Sequence, residues 1–267
     1  MSIISLSGRM NVGKDTVGKI WQIIDGSPHF STQGVMQFLN KPYDSRFEIK
    51  KWADSLKDMV CILLGCTREE LENQEFKNTE LPEEWWYTYG KIGNKDILVP
   101  YLDMDKEFKN NSNSFIEKPT PRLLLQLLGT ECCRQIIHPN IWVNALMSEY
   151  KPKDAPYNSL GDLLEDRHNG LLNNPNWVIT DTRFPNELKA VKDRGGITIR
   201  VDRPRIVGIR HTLKDGTYKD EIIKEHESET SLDDATFDYY INNNGSLEEL
   251  IEEVVKIYQD VKKNKLL

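Results

Sequence analysis

The sequence has little of what marks several large protein classes. It holds four cysteines in 267 residues, Cys61, Cys66, Cys132 and Cys133. Neither their number nor their spacing builds a disulfide framework or a zinc site, so the expectation is reduced thiols packed beside helices in a cytoplasmic protein. No apolar run approaches the roughly 20 residues of a membrane span. The segment Ser2-Ile3-Ile4-Ser5-Leu6-Ser7 follows Met1 with no basic region and is too short for a signal peptide, so no leader is expected. Cations are in the minority, with 35 Lys and Arg against 42 Asp and Glu and a formal net charge of -7. An extended nucleic-acid surface needs a net basic footprint, so neither nucleic acid nor membrane is an expected partner. A small phosphorylated ligand needs only a few clustered cations and stays compatible with this balance. Internal repeats and low-complexity tracts are also missing, and the length suits one large domain with insertions.

What is present alternates in period. Five segments read as strands, at about 2–7, 47–53, 177–181, 197–202 and 238–242. Helical patterns follow most of them: Lys14 to Ile24, Ser55 to Leu64, Pro185 to Arg194 and Leu247 to Val261. This alternation predicts an α/β fold with a parallel sheet covered on both faces. The stretch from Pro121 to Glu149 carries helical spacing, starts at Thr120-Pro121 and is interrupted at His138-Pro139, so it reads as two helices. Residues 99–120 and 151–176 have little apolar periodicity and read as insertions of loops or peripheral helices, with one short helical candidate at Leu160 to Glu165.

The run Gly8-Arg9-Met10-Asn11-Val12-Gly13-Lys14-Asp15-Thr16 follows the first strand and opens the first helix. It has the form of the phosphate-binding loop G-x-x-x-x-G-K-[ST], except that Asp15 stands where Ser or Thr is usual and Thr16 follows. Gly8 and Gly13 let the backbone turn its N–H groups toward phosphate oxygens. The helix N-terminus adds partial positive charge. Lys14 is placed to reach β- and γ-phosphates, and Thr16 offers a hydroxyl to Mg²⁺. Asp15 has two readings, a first-turn carboxylate favoured by the helix dipole or a Mg²⁺ ligand through water. Asn11, Gly13, Lys14, Asp15 and Thr16 are thus the candidate nucleotide-phosphate residues, with Thr16 and Asp15 as candidates for the metal.

Three further clusters narrow the chemistry. Arg122 and Gln126 share a helix face four residues apart, Gly129-Thr130 is expected to break or tighten that helix, and Arg134 and Trp142 follow. A guanidinium, an amide and an indole suit an anion plus a planar base, although an ordinary polar helix edge would carry the same residues. Asp181-Thr182-Arg183 lies just after the third strand, where an acid near Mg²⁺ and an arginine clamp on phosphate would fit; an Asp N-cap beside an exposed Arg is the plainer reading. Arg200, Arg203, Arg205, Arg210 and His211 follow the fourth strand in a loop-like stretch. They read as a mobile basic lid, about 203–229 with Gly208 and Gly216 as hinges, or else as a solvated charge run.

Taken in order, Leu6-Ser7-Gly8, Gly13-Lys14-Asp15-Thr16, Leu127-Leu128-Gly129-Thr130, Asp181-Thr182-Arg183 and Asn244-Gly245-Ser246-Leu247-Glu248-Glu249-Leu250 resemble the bacteriophage deoxynucleoside monophosphate kinases. The resemblance implies a P-loop, adenylate-kinase-like three-layer fold, with a monophosphate-binding, helical insertion at about 54–150. It implies transfer of the ATP γ-phosphate to a deoxynucleoside monophosphate with Mg²⁺, in host cytoplasm for a phage-encoded enzyme. Lys14 and Thr16 match the ATP and Mg²⁺ site, and Arg203 joins them from the lid. Lys57, Arg122, Gly129, Thr130, Trp142 and Arg183 match positions around the monophosphate, joined by Gln126, Arg134 and Thr182. Arg9-Met10-Asn11 departs from the basic pair of the family, which leaves Arg9 or Lys77 to supply that cation. Lys14, Arg183 and Asp181 are the expected catalytic residues. Two rivals stand beside this reading, a dephospho-coenzyme-A-type kinase of the same fold and a P-loop regulatory or nucleic-acid-binding ATPase. The sequence gives no measure of oligomeric state, and a homodimer stays open.

Overall fold

A computed structural model describes residues 2–27, 31–92, 95–104, 115–150, 175–203, 209–212, 218–221 and 227–264. The chain divides into two compact units, Met1–Trp52 with Val143–Leu267 and the inserted Ala53–Trp142. Strand β1 is Ser2–Ser7, β2 Phe47–Lys50, β3 Tyr87–Ile92, β4 Lys95–Pro100, β5 Asn176–Thr182, β6 Ile197–Asp202, β7 Ile209–Thr212, β8 Tyr218–Glu221 and β9 Tyr239–Asn242.

The first unit is built on a five-stranded sheet ordered β2-β5-β1-β6-β9, every pair parallel. Its central strands are buried along almost their whole length, small polar residues such as Ser5, Thr180 and Thr198 included, because both faces are covered. On one face, helix α1 (Lys14–Gly26) buries Val17, Ile20, Trp21 and Ile24, one side of a 3.6-residue repeat. The Leu247–Lys263 helix does the same with Leu250, Ile251, Val254, Ile257, Tyr258 and Val261, and a Ser246–Glu249 capping box starts it. Trp21 sits edge-on to Tyr258 with ring centroids 5.4 Å apart, tying the two helices together. On the other face Val143, Leu146 and Met147 pack with Ile3, Trp177, Ile179 and Val191. The result is the expected α/β three-layer core.

The parallel order puts the carboxyl ends of β1, β5, β6 and β9 along one edge, with β1 central. Crossovers leave β1 toward β2 on one side and later pass to β6 on the other, so the switch point of the topology lies above β1, where open α/β sheets bind ligands. The loop after β1 begins at Gly8. The sequence signals and the topology therefore converge on one edge.

Four expectations change in detail. The second strand ends at Lys50, not at residue 53, because the chain turns through Trp52 into the Asp54–Leu64 helix. The inserted unit is not wholly helical: β3 and β4 form an antiparallel hairpin, pairing Tyr87 with Pro100 and Ile92 with Lys95. Gly129-Thr130 does not break or tighten its helix. The Pro121–Gln126 helix widens there into π-type turns over Leu127–Ile137, which end at His138 as expected. The stretch read as a loop-like lid contains the antiparallel pair β7–β8, with Arg210 opposite Asp220 and His211 opposite Lys219. Arg205, Gly208 and Gly216 lie outside the described residues, as do residues 151–174 with the Leu160 to Glu165 candidate and the middle of the 99–120 insertion.

Candidate active site

The turn after β1 is glycine-dependent at two points. Gly8 adopts φ 148°, and a Cβ there would stand 2.2 Å from the Val201 carbonyl oxygen. Gly13 adopts φ 98° and would place a Cβ 2.6 Å from Asn243 Nδ2. Asn11 is the one described non-glycine residue with positive φ, at 64°, a conformation Asn tolerates better than most. The chain so curled delivers α1 with Gly13 as its N-cap, and no side chain caps the first turn. Its leading N–H groups therefore remain directed at the loop cavity, the arrangement that receives anions.

Lys14 lies under this loop, buried at 8 % exposure. Its ammonium donates to the carbonyls of Gly8 and Arg9, both at 2.6 Å. Burial, followed by the nearby Arg183 guanidinium, pulls its pKa down to about 8; Asp15 and Asp181 pull it up, and Arg200 pulls it down again. Asp15 turns outward and is held at its root. Burial raises its pKa, but hydrogen bonds from Thr180 Oγ1 at 2.7 Å and from Lys51 outweigh that, and the net shift is downward. Lys51 Nζ stands 2.9 Å from Asp15 Oδ1. Asp181 accepts the Trp52 N–H at 2.8 Å, which fixes the carboxylate at the end of β5.

Arg183 is positioned from behind. The buried Glu187 carboxylate accepts the backbone N–H groups of Arg183 and Phe184 at 2.8 and 3.1 Å and caps the Pro185–Lys192 helix. Arg183 itself pairs with Glu229, and Glu229 also accepts the Met10 N–H at 2.7 Å. Arg9 and Arg200 both reach Asp233, at 2.8 and 3.1 Å. Arg200 sits on β6, not in the lid stretch, and is buried at 8 % exposure. Three arginines thus gather around the loop that Lys14 underlies.

Beside the loop opens a cleft of about 500 Å³, lined among others by Asn11, Lys14, Thr16, Arg203, Asn243 and Leu247. Asn243 donates to the Val12 carbonyl at 2.8 Å, so the loop after β9 braces the loop after β1. All five candidate nucleotide-phosphate residues and Arg203 border this one cleft.

In the inserted unit the predicted residues split by burial. Lys57 and Lys77 converge on Glu72, at 2.5 and 3.0 Å. Arg122 donates to Asn78 and Gln74 of the short helix that also carries Lys77, both at 2.8 Å. These three cations share one neighbourhood. Trp142 does not present an open ring: it is 3 % exposed in the cluster with Leu56, Val60 and Cys133, and its indole N–H donates to the Gly129 carbonyl at 2.9 Å. Gly129 is buried beside it, Thr130 and Arg134 are half-buried and Gln126 is exposed. In the first unit Thr182 is wholly buried, and its hydroxyl joins Ser5 Oγ at 2.7 Å and the Trp52 indole at 2.9 Å. A hydroxyl so engaged holds β1, β5 and the β2 end in place. The sequence reading missed Lys51, Thr180, Asn243, Glu229 and Asp233. Lys51 and Asn243 follow strands at the ligand edge and could have been found by that position; the two acids carry no such signal.

The comparisons with known proteins agree with this picture. A family model for deoxynucleotide monophosphate kinases matches residues 2–254. The deoxynucleoside-5′-monophosphate kinase of Escherichia phage T5 is 24% identical over 212 residues, 72% of each chain. A protein of Acanthamoeba polyphaga mimivirus, provisionally named as a deoxynucleotide monophosphate kinase, is 29% identical over 146 residues, 51% of this chain and 60% of its own. With nearly its whole length matched, and a parallel sheet whose central strand leads into a phosphate-loop turn, the chain belongs to the deoxynucleotide monophosphate kinase family.

Proposed function

We propose that the protein transfers the γ-phosphate of ATP to a deoxynucleoside monophosphate, giving the diphosphate and ADP, and that the Gly8 to Thr16 loop holds the ATP phosphates. The observation that carries this is the uncapped N-terminus of α1 behind a loop of two positive-φ glycines, with the buried Lys14 ammonium beneath it. Donors so arranged are poor partners for anything but an anion. The neighbouring cleft, at about 500 Å³, falls in the size range of small-ligand sites, and its Leu247 and Leu250 side offers apolar surface.

Mg²⁺ fits the residues present. Among the described residues no three His, Cys, Asp or Glu side chains gather as a metal cage. Mg²⁺ characteristically keeps several waters and binds through one or two protein oxygens plus substrate phosphates. Thr16 offers a hydroxyl at the cleft, and Asp15 and Asp181 offer carboxyl oxygens near Lys14 suited to ligation through water. When bound, the ion would neutralise phosphate charge. The protein's own part is positioning: backbone N–H groups and Lys14 hold the donor, while Arg183 and Arg200 supply charge to the transferring group. Lys57, Lys77 and Arg122 form the acceptor-phosphate group in this reading, with Gln126, Thr130 and Arg134 at its edge.

The test is a coupled assay of ADP release with ATP and a panel of deoxynucleoside monophosphates, ribonucleoside monophosphates, dephospho-coenzyme A and DNA. Release dependent on a deoxynucleoside monophosphate supports the proposal. Release stimulated only by dephospho-coenzyme A, or only by DNA, would replace it with one of the rival readings.

A further inference from the structure

The acidic turn after β8 holds two carboxylates against the phosphate loop and its arginines. Glu229 and Asp233 are four residues apart, so they leave the Glu227–Thr230 helical turn and its continuation on one side. Leu232, between them, is 3 % exposed and packs with Leu188 and Phe237, which anchors the turn to the Pro185–Lys192 helix. Glu229 spans two donors of different origin. One carboxylate oxygen accepts the Met10 N–H of the phosphate loop at 2.7 Å, and the other takes the Arg183 guanidinium. Asp233 divides its oxygens in the same way, between Arg9 at 2.8 Å and Arg200 at 3.1 Å. Two carboxylates thus engage three arginines and one amide of the loop.

An ion pair on a surface needs no backbone donor, and a phosphate loop directs its N–H groups at anions by its own curl. A carboxylate that joins such an N–H to an arginine reproduces, oxygen for oxygen, part of what a phosphoryl group receives. We propose that Glu229, supported by Asp233, is a resident phosphate surrogate: it holds the Met10 N–H and the Arg183 guanidinium, and must release them before a phosphoryl group can use either. This rests on the phosphate-loop reading above.

Two consequences follow. In the free protein the surrogate keeps Arg183 and the loop ordered and partly neutralised, so the site need not be assembled when substrate arrives. Its displacement also taxes every incoming anion by the population of the occupied state. A singly charged anion offers little over a carboxylate, whereas a polyphosphate carries more charge and more oxygens and displaces it. Selectivity for polyphosphate over small anions would then arise from competition within the chain.

The experiment titrates inorganic pyrophosphate into the full-length protein by calorimetry at low salt, comparing wild type, Glu229→Gln, Asp233→Asn and Lys14→Met. Removing the competitor should tighten pyrophosphate binding about 5-fold in Glu229→Gln. Asp233→Asn should shift it in the same direction and gives the answer if Glu229→Gln does not fold. A purely structural role predicts the opposite sign, since a misplaced Arg183 binds anions less well. Unchanged or weaker binding in a variant that melts like wild type overturns the surrogate. Pyrophosphate binding that Lys14→Met leaves intact would instead remove the phosphate-loop reading, and the inference with it.

Discussion

Burial and charge oppose each other at Lys14. A cation at 8 % exposure, with Arg183 and Arg200 for neighbours, is costly to keep protonated, which is why its pKa falls from 10.5 to about 8. The folded protein thus binds this proton less tightly than the unfolded chain. Its cost to stability is fully present below pH 8 and disappears as pH rises toward 10.5. A shift of that size amounts to about 3 kcal/mol at most. Lys14→Met should therefore unfold at higher denaturant than wild type at pH 7, with the difference closing between pH 8 and 10.5. A bound polyphosphate repays the same cost, so pyrophosphate affinity should fall as pH rises above 8, with proton uptake on binding in that interval. Pyrophosphate itself titrates in this interval, so the effect is read against Lys14→Met, and identical pH profiles in the two proteins would show that Lys14 does not meet the phosphates. Catalysis should move the other way from stability: losing one such electrostatic contact commonly lowers turnover by about 10²- to 10³-fold. Arg122 makes a complementary case in the inserted unit. Its guanidinium rests on Asn78 and Gln74, neutral partners that leave its charge available. Arg122→Ala should raise the KM for the monophosphate at least 10-fold more than the KM for ATP, and equal changes in both would place Arg122 outside the acceptor group.

The helix Arg68–Glu72 and the helix Gln74–Asn78 that follows it depend on one carboxylate. Glu72 takes Lys57 from the Asp54–Leu64 helix and Lys77 from the next turn, and Arg68 adds Asp54 and Asp58 at 2.8 and 2.7 Å. Burial raises the Glu72 pKa, but the two lysines overcome it and hold it down to about 2. A depressed carboxylate stabilises above its unfolded value near 4.5 and loses that contribution as pH falls toward 2. Because Glu72 is nearly half exposed, solvent screening limits the effect to about 1 kcal/mol or less. Glu72→Gln should lower stability at neutral pH by that order and show no difference from wild type near pH 2. A constant difference across the acid range would mean that packing, not the ion pairs, carries the effect. These elements also mark where sequence reading ends. The sheet strands were legible as short segments rich in Ile, Val and Thr set between helical patterns, and the phosphate loop because glycine spacing is a backbone requirement. The π-type turns over Leu127–Ile137 were not, since hydrophobic spacing barely distinguishes them from α-helix. Thr182 and Trp142 were expected around the monophosphate from the family resemblance, yet packing turns both inward, the hydroxyl to Ser5 and Trp52 and the indole to Gly129. Glu229 and Asp233 were invisible because a pairing over 224 residues, as between Arg9 and Asp233, leaves no local pattern.

The molecule as a whole is acidic, with a formal net charge of -7, and seven of its 35 Lys and Arg fall in two groups. Lys14, Arg9, Arg183 and Arg200 cluster at the β1 edge of the first unit, and Lys57, Lys77 and Arg122 in the inserted one. Among the described residues no helix is long and apolar enough to cross a membrane. This distribution favours a small polyanionic ligand in each unit over an extended polymer, since a polymer selects for a continuous basic face. Under the proposed function the first group serves the donor and the second the acceptor. The most direct measurement is transfer of label from the γ-phosphate of ATP, run with each deoxynucleoside monophosphate against wild type and Lys14→Met at matched folded fraction. The account predicts labelled deoxynucleoside diphosphate from wild type and a loss of about 10²- to 10³-fold in the variant. Label released as inorganic phosphate regardless of the monophosphate, or equal transfer by both proteins, would contradict it.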